Sequence, residues 1–299
     1  MLRGERFNKA DRVIRIGFWL NALLMVMKLA AGHYGESEAV FADGIESACD
    51  FVSIGLTLVA LRVGRKPYDE DHPYGHGKVE SLAAVLVSII IGATGAWVLY
   101  SAVTTIASGS YTAPALMAVL AAAVTIVVKE SLYRYSMRIG GALGSPALLA
   151  IAKDHRKDAI TSIATLAGVG CAYLGYEIMD PVAAGLTSLF IFHIGYQTFC
   201  SSAHELMDGQ PEQDLLDAIV MLAEDVDGVY QVHEIRARHS GQFLIVDLKL
   251  DMDPEMTVKR SHDIATVVKA RIFERFNNVG DVMIHINPSN EPHEDLNRL

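Results

Sequence analysis

Apolar residues fall into six blocks near the ~20 residues that a bilayer-spanning helix needs: 14–32, 39–61, 82–106, 113–135, 148–174 and 181–203. After Asp208-Gly209-Gln210-Pro211 the period changes. Residues 212–225 read as an amphipathic helix opening after a proline, and 228–238 as a strand. In the next strand Leu244, Val246, Leu248 and Leu250 alternate with Ile245, Asp247, Lys249 and Asp251. A helix over 257–276 and a strand over 281–287 complete the pattern. The expected architecture is an α-helical membrane protein with six transmembrane helices, followed by a small cytosolic α+β domain of order α-β-β-α-β, ferredoxin-like. The boundaries follow as 1–208 for the membrane domain, 209–290 for the soluble domain and 291–299 for a tail.

Composition agrees: 51% of the 299 residues are hydrophobic and the mean hydropathy is +0.28. The net charge of −10 is uneven, with 17 acidic and 9 basic residues from Gly209 onward against 18 and 16 before it. The last third is therefore a separate acidic unit and a poor binder of nucleic acid, read as a solvated cytosolic surface or, alternatively, as a cation-attracting one. Cys49, Cys171 and Cys200 are scattered through apolar stretches without C-x-x-C spacing, which argues against disulfides and against a thiolate zinc site. The first apolar run is too late and too long for a cleaved signal peptide.

Lysine and arginine set the expected orientation. Arg3, Arg6, Lys9, Arg12 and Arg15 precede the first span. Arg62, Arg65, Lys66 and Lys78 lie between spans two and three, and Arg134, Arg138 and Lys153 lie between the apolar centres of four and five, at or between their facing ends. Loops 33–38, 108–111 and 175–180 hold none. By the positive-inside rule both termini are cytosolic.

Against that apolar background two acid pairs stand out, Glu46 with Asp50 and Asp154 with Asp158. Each is spaced i, i+4, so the two carboxylates of a pair share a helix face. Ionisable groups within spans are expensive and mark ion pathways or relays. Four carboxylates from two helices can surround a divalent cation, and an all-oxygen set tilts the choice toward hard ions such as Mn²⁺ and away from zinc. Closely spaced carboxylates in a low-dielectric site cannot all ionise, so metal arrival would expel protons and metal release would readmit them. Asp43 shares the face of Glu46 as an outer approach group or as a mere helix-end residue, Lys28 is placed to snorkel or pair with an acid, and His193 reads as a packed core histidine. No nucleophile–base constellation or phosphate loop is visible among the spans, so an enzyme is not expected.

These residues resemble the cation diffusion facilitator family along nearly the whole chain. Phe41-Ala42-Asp43-Gly44-Ile45-Glu46-Ser47-Ala48-Cys49-Asp50 looks like its second-span segment, His72-Pro73-Tyr74-Gly75-His76-Gly77-Lys78-Val79-Glu80 is close to a fingerprint, and Asp154-His155-Arg156-Lys157-Asp158 looks like its fifth-span segment. The resemblance implies a homodimer exporting divalent metals in exchange for protons. Zinc members usually begin the fifth-span motif with His; the acidic Glu46 and Asp154 lean to manganese, with Fe²⁺ and Zn²⁺ as alternatives, and His155 is offered by a small helix rotation. It also maps Asp69, His72 and His76 onto a loop metal site, and His233, Asp247, His262 and His285 onto cytosolic-domain ligands. Lys78 and Asp208 match a salt-bridge network near the membrane surface.

The expected function is a proton-coupled antiporter exporting a divalent cation from the cytosol, with metal ions as substrate and regulators and no other cofactor. Its expected partners are the cation, protons, membrane lipid and a second copy of the chain. Its place is a prokaryotic inner membrane. The other class weighed is a non-transporting scaffold or metal sensor acting through the tail.

Overall fold

In the computed structural model, residues 3–143 and 145–289 are described; the 291–299 tail lies outside them. Six long helices come first: α1 (Arg3–Tyr34), α2 (Glu38–Gly64), α3 (Val79–Ser108), α4 (Leu116–Leu143), α5 (Pro146–Tyr173) and α6 (Met179–Leu206). Five of them are long and apolar enough to cross a membrane. The exception, α5, is 28 residues long but carries Lys153, Asp154, Arg156, Lys157 and Asp158 in its first half. Large apolar side chains are exposed along the helices' outer surfaces, with Trp19 at 69% and Leu58 at 59%, as a lipid-facing surface requires.

Small residues set the helix packing. Ala31, Val40, Ala118, Ala122 and Val169 form one buried cluster; Ala39, Ala42, Ala102 and Ala184 belong to another. Lipid tails are as apolar as the helices, so such contacts hold by close van der Waals approach. Helix α5 starts on Pro146 after Ser145, whose Oγ accepts a hydrogen bond from the Leu148 amide. At the start of α2, Asp180 of α6 accepts bonds from Ser37 Oγ and the Glu38 amide, both at 2.6 Å. One of the orphan amides of α2 is thereby satisfied.

The C-terminal domain has the expected order: α7 (Gln213–Glu224), β1 (Gln231–Ser240), β2 (Phe243–Met252), α8 (Val258–Arg275) and β3 (Val279–Pro288). The sheet order is β1-β2-β3, with β1/β2 antiparallel and β2/β3 parallel. Gly241, at φ +61°, makes the β1–β2 turn, and α8 supplies the crossover that parallel strands need. Leu244, Val246, Leu248 and Leu250 of β2 meet Leu216 and Ile219 of α7 and Ile264, Val268 and Ile272 of α8. Each such buried side chain contributes roughly 1.5–3 kcal/mol.

Contacts group the chain into two compact units. One holds the described residues up to Gly55 and those of Leu86–Thr198; the other holds Leu56–Val85 and the described residues from Phe199. The end of α2, the loop after it, the start of α3 and the end of α6 thus belong with the C-terminal domain.

Candidate metal centre

Within the helical unit, Asp50 of α2 and Asp154 and Asp158 of α5 line one cavity of about 430 Å³, together with Asn21, Lys129 and His155. Glu46, one turn before Asp50, borders a second cavity of about 190 Å³ with Thr161, Leu186 and Phe190, and its Oε2 is buried without a hydrogen-bond partner. Three of the four expected carboxylates therefore face a common space. The fourth lies one turn along α2 in a neighbouring one. Among the described residues the four do not close into a cage with mutual oxygen distances under 4.8 Å.

Of the basic residues within the fifth-span motif, Arg156 is engaged elsewhere, whereas Lys157 also lines the cavity. Arg156 pairs with Glu130 and lies 5.0 Å over the Tyr133 ring, while Lys157 lies 5.4 Å over Phe190. Asp158 instead meets Lys129 of α4, Nζ to Oδ2 at 2.6 Å. Lys129 went unrecognised in the sequence, although a lysine inside an apolar span is itself a signal. His155 is 5% exposed, and its Nε2 is buried without a partner beside Gly17 of α1.

Asp43 is no outer approach group. It is 4% exposed and paired with Lys28, Nζ to Oδ1 at 3.0 Å, and Ser162 Oγ donates to its other oxygen at 3.4 Å. Lys28 therefore pairs with an acid and does not snorkel. His193 is exposed on α6, because the face it shares points outward from the single chain.

The loop triad is the tightest ligand cluster among the described residues: Asp69, His72 and His76 each offer an atom within 4.8 Å of the others. The segment is irregular, with the Gly75 amide bonded to the His72 carbonyl at 3.0 Å across Pro73 and Tyr74. Asp69 Oδ1 accepts from the His72 amide at 2.7 Å and lies 3.0 Å from its Nδ1, and Oδ2 is 3.3 Å from His76 Nε2. Desolvation raises the Asp69 carboxyl, but the His72 amide and ring, with the charge of His76, outweigh it and hold the group below its usual range.

Among the described residues of the single chain, the four expected ligands of the C-terminal domain, His233, Asp247, His262 and His285, do not form one cluster. Asp247 pairs in register with Met283, and His285 with Lys249, making them diagonal neighbours on the sheet face turned away from the core. His262 is exposed near the start of α8, in the helix layer that packs the opposite face. His233, at a bulge in β1, comes within 3.8 Å of Asp251, an acid the sequence reading passed over. Asp251 is 3% exposed and accepts from Gln231 at 2.5 Å and Asn287 at 3.3 Å.

A carboxylate-lined cavity between apolar helices, joined to a small α+β domain, is the layout of a cation transporter. The chain matches the cation efflux transmembrane domain over residues 14–207 and the cation efflux protein cytoplasmic domain over 211–289. It is 35% identical over 296 residues to the manganese efflux system protein MneP of Bacillus subtilis, covering 96% of this chain and 99% of that one. The magnetosome protein MamB of Magnetospirillum gryphiswaldense is 32% identical over 279 residues (93% and 94% covered), and the B. subtilis manganese efflux system protein MneS is 33% identical over 274 (92% and 94%). The chain belongs to the cation diffusion facilitator family: it is an integral membrane transporter of divalent metal cations with a cytoplasmic domain, and not an enzyme.

Proposed function

We propose that this transporter exports Mn²⁺ from the cytosol in exchange for protons, with Fe²⁺ and Zn²⁺ as lesser substrates. One observation carries the reading: Asp50, Asp154 and Asp158 share one cavity within the helical unit. Carboxylate oxygens without a thiolate suit a hard ion. The relatives named as manganese efflux proteins, similar over more than nine-tenths of the chain, support that choice. In this reading Glu46 enters the coordination set in another conformer of the same helices. Proton exchange follows from charge balance, since an empty low-dielectric site must hold compensating positive charge.

The reading also places both termini in the cytosol of a bacterial inner membrane and makes the protein a homodimer joined through its cytoplasmic domain. It gives Asp69, His72 and His76 a second, non-transporting metal. It assigns regulation to the cytoplasmic domain, which we class as ferredoxin-like from its α-β-β-α-β order. His233, Asp247 and His285 carry that role, without His262.

The test is uptake into proteoliposomes with Mn²⁺, Fe²⁺ and Zn²⁺ offered together and a pH dye in the lumen. Mn²⁺ is expected to move fastest, with an opposing proton flux, and Asp50→Ala is expected to abolish both. Metal movement without a pH change ends the antiport reading. Unchanged flux in Asp50→Ala ends the site assignment.

A further inference from the structure

Two buried lysines pair with acids in the helical unit, and their settings differ. Lys28 and Asp43 are sealed at both ends, with side-chain exposures of 2% and 5%. Lys129 is equally enclosed, at 7%, but its partner Asp158 is 30% exposed and faces the cavity that also holds Asp50 and Asp154. The first arrangement is a sealed internal salt bridge. The second sets an ammonium on one of the carboxylates that the transported ion is to use.

Charge counting makes that position consequential. Asp50, Asp154 and Asp158 with Lys129 and Lys157 give the fully ionised cavity one net negative charge. A divalent cation added to this set leaves the cavity positive. It also sits against an ammonium that reaches Asp158 at 2.6 Å and is itself enclosed, so the two like charges repel. If the ion displaces Lys129 from Asp158 and the ammonium swings out of the cavity, the three carboxylates and Lys157 balance the ion and the cavity becomes neutral.

We infer that Lys129 is a tethered counter-cation of the transport site: it neutralises Asp158 while the site is empty, is displaced when the divalent ion binds, and returns to Asp158 to drive release. The proposal rests on the assignment of Asp50, Asp154 and Asp158 to the transported ion. Lys129 acts through Asp158 and is a positioning residue. It weakens binding and speeds unloading, so its removal tightens binding, which general damage to the fold does not do. A lysine serving this role also supplies positive charge that would otherwise come from a proton.

The experiment uses the full chain in lipid nanodiscs, with Mn²⁺ alone as the probe, and follows the binding component that Asp50→Ala removes. Lys129→Met is expected to raise Mn²⁺ affinity at that component at least tenfold and to lower the maximal uptake rate in proteoliposomes. Lys129→Arg, whose planar fork grips a carboxylate more firmly, is expected to lower the affinity several-fold. Unchanged or weaker binding in Lys129→Met overturns the proposal. If that variant does not yield monodisperse protein, Lys129→Arg decides alone, and unchanged or tighter binding overturns it. Should Asp50→Ala remove no binding component at all, the site assignment fails and the lysine is not at fault.

Discussion

Asp208 accepts a 2.6 Å hydrogen bond from the ammonium of Lys78, 130 residues earlier in the chain. Its second oxygen takes one from Arg238 of β1 at 3.2 Å, and the Arg238 guanidinium lies 5.2 Å over the Tyr74 ring. One carboxylate therefore joins the start of α3, the end of α6 and the first strand within a single compact unit. Asp208 has a φ of +59°, a conformation that an aspartate tolerates better than most residues. The pairing of Lys78 with Asp208 was expected from the motifs; the Arg238 contact was not.

The Lys78 hydrogen bond, with the charge of Arg238, holds the Asp208 carboxyl below its usual range. A group depressed in the folded state adds stability above its unfolded pKa of about 4 and loses it as pH falls through the folded value. Both Lys78 and Asp208 are more than 40% exposed, so the pair is worth at most about 1 kcal/mol. Asp208→Asn should lower the melting temperature by a few degrees at pH 7. The gap from the parent should close as pH falls toward 3, and a gap that persists there would show that the charge is irrelevant. High salt should narrow it at neutral pH.

Lys28 and Asp43 predict a larger effect. Removing one member of a buried pair strands the other charge, at a cost of about 3–5 kcal/mol, while removing both is often close to neutral. Lys28→Met should therefore lower the thermal stability of the purified protein far more than Lys28→Met with Asp43→Asn. Equal losses in the single and double variants would mean that packing around Lys28, and not its charge, is what matters.

The loop triad offers two imidazoles and one carboxylate, a donor set that favours zinc over manganese. Protein purified and incubated with equal Zn²⁺ and Mn²⁺ should keep zinc at this loop. His76→Ala should remove one zinc per chain, measured by elemental analysis, and should leave Asp50-dependent Mn²⁺ uptake within about twofold of the parent. Loss of manganese in place of zinc would show that the loop belongs to the transport path.

The sequence revealed elements more readily than partners. Apolar runs located all six helices, yet α1 begins at Arg3, where the apolar run starts only near residue 14. Hydropathy reports the depth of hydrocarbon, and a helix continues past it. Strand alternation found β2 to within a residue of each end, because only even positions face the core. The same rule expected Asp251 on the solvated face, but Gln231 and Asn287 from the flanking strands cover it. Lys129 was visible as a charge in an apolar run, but its partner lies 29 residues on, in the next helix, beyond any i, i+4 rule. His262 entered the tail set by motif position alone, and only the layer order of helix and sheet separates it from Asp247 and His285.

Two glycines of α5 test how closely the helices must approach. A Cβ on Gly168 would lie 2.2 Å from the Cβ of Ala183 in α6 and 3.1 Å from the Met179 carbonyl, so one backbone would have to move. A Cβ on Gly170, two residues on and about 200° around the helix, would meet nothing within 4 Å. Helix propensity favours alanine at both positions by about 1 kcal/mol, so the two substitutions differ in packing alone. Gly168→Ala should lose stability by about 1–3 kcal/mol and reduce transport, since α5 carries Asp154 and Asp158 and any shift of its axis moves them. Gly170→Ala should be neutral or slightly stabilising, with transport unchanged. Melting temperature and Mn²⁺ uptake, measured side by side, check both. If Gly168→Ala melts like the parent and transports normally, α5 and α6 do not stay in close contact at this point during the cycle.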